Sequence, residues 1–303
     1  MAPTDTKTAH TFSRHVAPFA PLVLALLLSR AVLPSGEEPP ETTGAVAAAK
    51  CDDEVDNFQA CHERFPTGCT QAGKYDAYVN LLKNQLIDPS STEPAGFLNL
   101  QNFEAKDTSV PDGMKKGRHI DFKDDLAKLG EGQTFAAVGF LYYAFPSGVE
   151  SSNCQLPKDD EEGTNVDYHI GIGFDRDTAK RLRDHPELVK NKKSIPKPLQ
   201  QASVIVEMTP HFRFHFENDI WTVDNLQKAI GRQVRVVGQL ILDSEHYTSG
   251  QDCAIAGTSS DRKSCWRASA WELHPVERFQ VCNKSTNDCG REESTDWIEL
   301  DSL

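Results

Sequence analysis

The sequence lacks several features that would each have indicated a class of function. It has no excess of basic residues, since 32 Lys and Arg stand against 45 Asp and Glu, with a formal net charge of −13 over 303 residues. A protein that binds nucleic acid mainly through charge needs the opposite balance, so bulk nucleic-acid binding is disfavoured. No apolar run reaches the roughly 18–20 residues that a membrane-spanning helix requires, and we predict no membrane span.

Signatures of well-known catalytic sites are missing as well. No Cys-x-x-Cys occurs, which argues against a zinc ribbon and a thioredoxin-like redox site, and no His-Glu-x-x-His indicates a zinc protease. Gly-x-Ser-x-Gly and the phosphate-binding loop are absent, and Gly171-Ile172-Gly173 lacks the third glycine of a dinucleotide-binding loop. Candidate catalytic residues must therefore be inferred from their positions in the fold.

The first positive signal is one for export. Residues 16–28 (VAPFAPLVLALLL) are continuously apolar and follow a polar start that carries Lys7 and Arg14. A run of about 13 residues is typical of a secretory signal and is too short to span a membrane. We predict a signal peptide and linker over 1–49, with cleavage after Leu28 or near Ala49, and a secreted or periplasmic protein. A short anchoring segment that is never cleaved is the alternative.

All eight cysteines follow this apolar run, as expected of an exported chain with a disulfide framework. We predict that Cys253 pairs with Cys265 and closes one loop. The N-terminal cysteines form a cluster whose fourth member is expected to be Cys154, although Cys282 and Cys289 are equally open to exchange with it. The predicted disulfide cysteines are Cys51, Cys61, Cys69, Cys154, Cys253, Cys265, Cys282 and Cys289.

Hydrophobic periodicity divides the rest of the chain near residue 133. Residues 50–132 are irregular, with helices predicted at 75–86 and 121–129, and we interpret them as an accessory region tied down by disulfides. Beyond residue 133, the pattern predicts five strands, with one helix after the third strand. The predicted strands are 134–145, 167–174, 203–208, 233–242 and 269–281, the helix is 221–230, and an acidic tail follows at 283–303.

This order of elements predicts a mainly β fold. Three strands, a helix and two further strands are the order of the OB-fold, a five-stranded Greek-key barrel with one helix between the third and fourth strands. We therefore predict an OB-like barrel over 133–282 with enlarged loops, joined to the disulfide-tied, irregular and partly helical N-terminal region. A small open β-sandwich is the alternative architecture.

Five short motifs in the second half of the chain resemble a family of exported bacterial proteins. They are Asn153-Cys154, the run 167–170 (DYHI), the run 206–213 (VEMTPHFR), the run 234–240 (VRVVGQL) with Asp243 and His246, and the run 267–276 (RASAWELHPV). The resemblance covers about half of the chain, and the last motif is the most specific. It implies relatedness and an OB-like domain, but the family has no assigned activity, so it implies no chemistry.

One face of the predicted sheet is unusually polar. In the strand 167–174, Asp167 and His169 share a face with Gly171 and Gly173, and glycines in a strand allow a ligand or another backbone to approach closely. Glu207 lies on the matching face of the next strand, in the region where OB-folds bind ligands. We predict a binding patch of Asp167, His169 and Glu207. A plain cross-strand pair between His169 and Glu207 is the alternative.

A second polar group lies near the ends of the last two predicted strands. Glu272 and His274 share one face of the fifth strand, and His246 follows the fourth strand together with Asp243 and Glu245. If these strands pair, two histidines and a carboxylate could bind zinc, or could act as a general base with its orienting partner. The alternative is a structural role at the end of the barrel. The candidate catalytic residues are therefore His169, His246, Glu272 and His274.

Arg213 completes the predicted ligand-binding residues. Residues 210–216 (PHFRFHF) alternate, so an extended conformation would place His211, Arg213 and His215 on one side, as a basic ridge that could hold a phosphate or a carboxylate. A core edge strand with buried phenylalanines is the alternative. The segment 180–197 adds seven Lys or Arg against two acids, although a solvated loop explains such a run equally well.

Two classes of function fit these residues. The first is an exported binding module, in which Asp167, His169, Glu207 and Arg213 recognise an extracytoplasmic saccharide, peptide or nucleic-acid segment. The second is a metal-dependent hydrolase or nuclease that uses the histidines and Glu272. A structural protein without a small-molecule site is a further alternative. Convergence of these side chains around one pocket distinguishes the classes. The sequence leaves the cofactor, the metal and the ligand open.

Overall fold

The computed structural model describes residues 47–158, 163–216, 220–292 and 294–303. The predicted signal peptide and linker at 1–49 therefore lie outside the described residues, except for the last three positions. The helices are α1 Phe58–Arg64, α2 Ala77–Lys83, α3 Leu100–Asp107, α4 Lys123–Lys128, α5 Arg176–Asp184, α6 Lys197–Gln201, α7 Pro210–His215, α8 Val223–Lys228 and α9 Ser259–Ser264. Short 3-10 helices lie at His119–Phe122, Ser151–Asn153, Pro186–Val189, Lys192–Ser194 and Leu300–Ser302.

The strands form one mixed sheet, seven-stranded in the described part of the chain. They are β1 Phe97–Leu98, β2 Thr134–Pro146, β3 Tyr168–Gly173, β4 Ser203–Met208, β5 Gln233–Leu242, β6 Trp271–Cys282 and β7 Trp297–Glu299. The hydrogen-bonded order is β1-β2-β3-β4-β6-β5, β7 pairs with β6, and β5 also pairs with β2. The β4–β6 and β1–β2 pairs are parallel, and the other pairs are antiparallel.

Side-chain alternation decides which face of these strands is buried against the core. Tyr168, Ile170 and Ile172 of β3 join the main hydrophobic cluster, as do Val204 and Val206 of β4. Successive side chains point to opposite faces of a strand, so the residues between them face away from this core. The five strands predicted from periodicity, and a helix between β4 and β5, are confirmed. The prediction of one helix there is wrong, because α7 precedes α8.

Helix α7 occupies the segment that we expected to be extended. The Thr209 side chain accepts a hydrogen bond from the Phe212 N–H, and Pro210 lies in the first turn, where its missing N–H carries no cost. Phe212 is fully buried and stacks on Trp221, with ring centroids 5.7 Å apart. The alternation of PHFRFHF is therefore overridden by a helix N-cap, and the predicted basic ridge does not form.

Four disulfides tie the described chain together. They join Cys51 to Cys69, Cys61 to Cys154, Cys253 to Cys265 and Cys282 to Cys289. The predicted Cys253–Cys265 pair and the place of Cys154 in the N-terminal cluster are confirmed, and the exchange that the sequence left open is resolved. Such a framework is typical of proteins that fold in an oxidising compartment. The Cys61–Cys154 bond fastens the N-terminal region to the loop that follows β2. In the described ranges, no helix combines the length and apolarity needed to cross a membrane.

The segment predicted as an acidic tail contains β7. Cys282, Val281 and Gln280 of β6 pair with Trp297, Ile298 and Glu299 in antiparallel register. Trp297 is buried next to the Cys282–Cys289 bond. The sheet therefore continues beyond residue 282, the limit that we had predicted for the barrel.

Candidate functional site

The polar face of β3 and β4 carries a close pair of charged side chains. His169 and Glu207 are direct cross-strand partners, and His169 Nε2 lies 2.8 Å from Glu207 Oε1. Glu207 is buried, whereas 19% of the His169 side chain is exposed. The cross-strand pair that we weighed as an alternative thus exists, and further charged groups surround it.

Strand β6 adds Glu272 and His274 to this face. Val206 of β4 and Leu273 of β6 are parallel partners, which brings the two strands side by side. His274 Nδ1 lies 3.1 Å from Glu272 Oε1, and both side chains are fully buried. The same nitrogen lies 3.3 Å from Glu207 Oε2. The two histidines of β3 and β6 therefore contact the same carboxylate.

Asp167 closes the inner side of this group. It precedes β3, is fully buried, and its Oδ2 lies 4.0 Å from His274 Nε2. Within the described part of the chain, neither Asp167 oxygen has a hydrogen-bond partner, and the same holds for Glu207 Oε2 and His274 Nε2. Buried polar atoms are normally satisfied, so four unsatisfied atoms at one point require an explanation.

The loop that follows β5 contributes a second histidine–carboxylate pair. Asp243 Oδ2 contacts His246 Nδ1, so Nε2 is the remaining nitrogen of that ring. Arg267 Nη1 lies 3.2 Å from Asp243 Oδ2 and also 3.2 Å from Glu272 Oε2. Arg267 is fully buried and bridges the β5 loop to β6. It thereby fixes the carboxylates that hold both His246 and His274.

Two further charges come from outside the predicted barrel, and sequence reasoning missed both. Lys83 at the end of α2 donates to Glu150 Oε2 at 3.1 Å, and Glu150 Oε1 lies 3.8 Å from His169 Nε2. Lys83 is only 7% exposed. These partners are 67 positions apart in the chain, so no local pattern could have paired them. One weak signal was available: Cys154, four residues after Glu150, was expected to bond to the N-terminal region.

These side chains surround a chamber of about 340 Å³ that is partly open to solvent. Its lining contains five carboxylates and three lysines together with His169 and His246. The ionisable groups that line it are Lys74, Asp76, Lys83, Lys116, Glu150, His169, Glu207, Asp243, Glu245 and His246. The chamber therefore combines buried, paired charges with a route from the solvent. We refer to it below as the polar chamber.

The surroundings shift the ionisation of three members of this group. Burial, followed by the charge of Glu150, raises the pKa of Asp167 to about 7. Burial disfavours a charged imidazole, but the carboxylates of Glu207 and Glu150 outweigh it and raise the pKa of His169 to about 10. Burial likewise disfavours the Glu207 carboxylate, yet His169 and His274 lower its pKa to about 2. This environment favours additional positive charge.

The inner residues have a composition suited to a metal ion. One ligand atom from each of Asp167, Glu207 and His274 lies within 4.8 Å of the other two, and Glu150, His169 and Glu207 form a second such group. Two carboxylates and one imidazole suit borderline cations such as Zn²⁺ or Mn²⁺. Glu272 at His274 Nδ1 is the kind of partner that orients a metal-binding imidazole and leaves Nε2 for the ion.

The structure brings together most of the residues predicted from the sequence. Asp167, His169, His246, Glu207, Glu272 and His274 lie in or directly beside the polar chamber. Arg213 does not join them. Its guanidinium packs 3.8 Å from the centre of the Tyr168 ring and donates to the Val166 carbonyl. The helical conformation of α7 causes this displacement.

The two glycines of β3 have a different role from the one expected. A Cβ at Gly171 would lie 2.3 Å from the Tyr143 ring, and one at Gly173 would lie 1.9 Å from the Tyr142 ring. They therefore make room for tyrosines of the neighbouring strand β2. The prediction that they admit a ligand or another backbone is wrong.

A larger groove of about 800 Å³ lies elsewhere, between α1 and α7. His62 and His211 stack there with ring centroids 3.8 Å apart, and Phe214 is half exposed at its edge. Of its polar residues, Asn57 and Glu63 are exposed, whereas Asn165 is buried. We place the candidate site in the smaller polar chamber, because buried, unsatisfied charged groups converge there.

Comparison with known proteins adds no family and no function. None of the protein-family models, curated proteins or solved structures that were compared matches this chain. Any functional conclusion therefore depends on the chemistry of the polar chamber.

Proposed function

We propose that this protein is an exported, divalent-cation-dependent hydrolase whose active site is the polar chamber. The observation that carries the proposal is the convergence of unsatisfied, buried atoms of Asp167, Glu207 and His274 at one point under the chamber. A cation at that point would satisfy all three side chains at once. It would supply Lewis acidity and increase the acidity of water, which is the usual contribution of a metal ion to hydrolysis.

The charge balance supports a cation in this position. The lining of the polar chamber carries two more carboxylates than lysines. Asp167 and Glu272 lie beside the lining and add two carboxyl groups, and the single positive charge of Arg267 can offset only one of them. Buried charges are costly unless they are paired. A divalent cation balances the excess negative charge and allows His274 to be neutral, as an imidazole must be in order to bind a metal.

The remaining residues have distinct roles in the proposed reaction. Glu272 is a positioning residue, because it orients His274 from the far side of the ring. His246, held by Asp243, accepts the proton of the attacking water and later donates it to the leaving oxygen. The water oxygen forms the new bond to the electrophilic atom as the ester bond breaks, so hydrolysis consumes one water and no other reactant. Lys83 stabilises negative charge that develops on the substrate.

Three broader proposals accompany this function. The ring of pairings β2-β3-β4-β6-β5, with β5 back on β2, supports an OB-like barrel with α7 and α8 between its third and fourth strands. Four disulfides support a location outside the cytoplasm. The motifs quoted above support relatedness to the exported bacterial family.

The first test is metal analysis of the purified protein, followed by titration with Zn²⁺ and Mn²⁺ and a screen of chromogenic esters. We expect one tightly bound cation per chain and hydrolysis that chelation removes. A His246→Asn variant should retain the cation and lose about 10²–10⁴-fold in rate, the usual contribution of general acid–base catalysis. A protein that binds no divalent cation would contradict the proposal.

A binding module with a structural cation is the second candidate. Asp167, Glu207 and His274 are all at most 1% exposed, and structural metal sites are closed in this way, whereas catalytic sites keep an open position. This candidate predicts the same cation but no hydrolysis, and His246→Asn should then weaken ligand binding only. Stoichiometric metal without turnover of any ester class would favour it over the hydrolase.

A further inference from the structure

A second chamber adjoins the polar chamber and has a different character. It encloses about 330 Å³, and its lining is mostly aromatic and aliphatic, with the buried side chains of Tyr143, Phe145 and Ile205. His169 and His246 line both chambers, so the two spaces meet at these imidazoles. We refer to this second space as the aromatic chamber. A molecule that fills both would place its middle beside His246.

The rings of the aromatic chamber are held in place by contacts around them. Tyr143 and Phe145 stack with centroids 6.2 Å apart, and the Tyr143 hydroxyl lies 2.8 Å from Ser203 Oγ. Trp266 contacts His246 edge-on at 5.4 Å, and the Arg267 guanidinium packs 4.4 Å from the centre of the Trp266 ring. Fixed aromatic walls favour a flat, apolar ligand group, because little side-chain freedom is lost on binding.

Besides His169 and His246, two polar residues line the aromatic chamber. Gln200 and the exposed Lys192 line it, and Lys192 belongs to the basic segment 180–197 that the sequence singled out. An amide and an ammonium group can satisfy the polar edge of a heteroaromatic ring while its faces contact apolar walls. The basic segment, which the proposed reaction does not use, thus acquires a role in substrate binding.

We propose that the aromatic chamber binds the planar ring of a phosphoester substrate, such as a nucleoside monophosphate, whose phosphate lies in the polar chamber. This proposal rests on the proposed hydrolase function and names its substrate class. Base–aromatic stacking is a strong, sequence-tolerant source of affinity. Hydrolysis forms a bond from the water oxygen to phosphorus, breaks the ester P–O bond, and returns the proton held by His246 to the leaving oxygen.

The charge of the polar chamber makes this binding dependent on the cation. The five carboxylates outnumber the three lysines and the His169 imidazolium, and this excess negative charge repels a phosphate unless a divalent cation offsets it. A phosphoester should therefore bind well only to the cation-loaded protein, whereas a ring without phosphate should bind weakly to either form.

The test is calorimetric titration of the full, Mn²⁺-loaded protein with AMP, with ribose 5-phosphate, which lacks the ring, and with adenosine, which lacks the phosphate. We expect AMP to bind at least about tenfold more tightly than either fragment, as stacking of one base predicts. Trp266→Leu should weaken the affinity for AMP about tenfold and leave the affinity for ribose 5-phosphate unchanged. Chelation of the cation should weaken AMP and ribose 5-phosphate alike.

Phe214→Leu is the matched control, because Phe214 is an exposed aromatic residue of the groove between α1 and α7. It should leave all three affinities unchanged. Equal affinity for AMP and ribose 5-phosphate, or equal weakening of both by Trp266→Leu, would overturn the ring subsite. The Mn²⁺ stoichiometry of the same samples separates the two proposals: a bound cation without ring preference contradicts only the subsite, and no bound cation contradicts the hydrolase.

Discussion

Two groups of buried acids in this protein are equally shielded from water, but the side chains that surround their carboxyl groups differ. Asp167 and Glu207 lie under the polar chamber, whereas Asp107 at the end of α3 and Asp252 in the loop after β5 form a pair elsewhere in the core. Burial and the charge of Asp252 raise the pKa of Asp107 to about 9, and burial raises that of Asp252 to about 6.

The difference is in what surrounds each group. The Asp107 carboxyl accepts a hydrogen bond from the Ala270 N–H and lies close enough to Asp252 for the two carboxyls to share one proton, which leaves the pair with a single negative charge. Asp167 and Glu207 instead face an imidazole, that of His274, and lie at or beside a chamber that is partly open to solvent. Buried acids thus indicate a candidate site where they face imidazoles and a cavity reaches them, and a structural pair where they face each other.

The largest expected effect is a loss of cation affinity at the first group, the acids Asp167 and Glu207 with His274. His274→Gln removes a proposed ligand, so the affinity for Zn²⁺ or Mn²⁺ should fall further than the roughly 10–100-fold that loss of a supporting partner causes. Glu272→Gln is that matched control and should lie within this range. Isothermal titration measures both affinities, and circular dichroism shows whether each variant is folded. A folded His274→Gln protein with unchanged affinity would contradict the inner site.

The next largest effect is the increase in the free energy of unfolding that the bound cation causes. A ligand that binds only the folded state at about 100 times its Kd adds roughly 2.7 kcal/mol to the free energy of unfolding. Zn²⁺ or Mn²⁺ should therefore raise the Tm of the native protein by several degrees. Asp167→Asn should abolish this rise, whereas Asp107→Asn should retain it. A rise that persists in Asp167→Asn would show that the cation binds elsewhere.

A smaller effect on the free energy of unfolding is expected at the second group, Asp107 and Asp252, and its size depends on pH. The pKa of Asp107 in the folded state is above its value in the unfolded chain, so the stability present below about pH 4 is lost as pH rises towards 9. Asp107→Asn removes this loss, because its amide can donate to Asp252. We expect the variant to be about 1–2 kcal/mol more stable at pH 8 and unchanged near pH 4. Thermal melts at both pH values measure this, and equal differences at the two would contradict it.

The smallest effect is expected at Glu277, a buried acid outside both groups that has a neutral partner. Thr134 Oγ1 donates to Glu277 Oε1 at 2.9 Å, and burial raises the pKa of Glu277 to about 7. Its stability contribution is lost as pH rises from about 4 to 7. Glu277→Gln should therefore stabilise the protein by less than about 1 kcal/mol at pH 8 and not at pH 4. A larger gain than that of Asp107→Asn would reverse the ranking of the two sites.

The strands were predictable because their signal is local. The alternation of Tyr168, Ile170 and Ile172 in β3 indicates a strand without reference to the rest of the chain, and so does the alternation of Val234, Val236, Leu240 and Leu242 in β5. His169 and Glu207 were expected on one face for the same reason. Segment 210–216 was mispredicted because it carries two conflicting local signals: its alternation indicates a strand, whereas the N-cap at Thr209 indicates a helix. Burial of Phe212 favoured the helix.

The amino-acid sequence by itself determined where the main strands lie along the chain and which polar side chains share a face in β3, β4 and β6, since both depend on periodicity within a short segment. It indicated a disulfide framework but left part of the cysteine pairing open. Only the tertiary structure decided that Lys83 and Glu150 complete the polar chamber, that Arg213 lies outside it, and that an aromatic chamber adjoins it. The physical reason is that these contacts join segments far apart in the chain, where packing and disulfides, not local preference, determine which side chains meet.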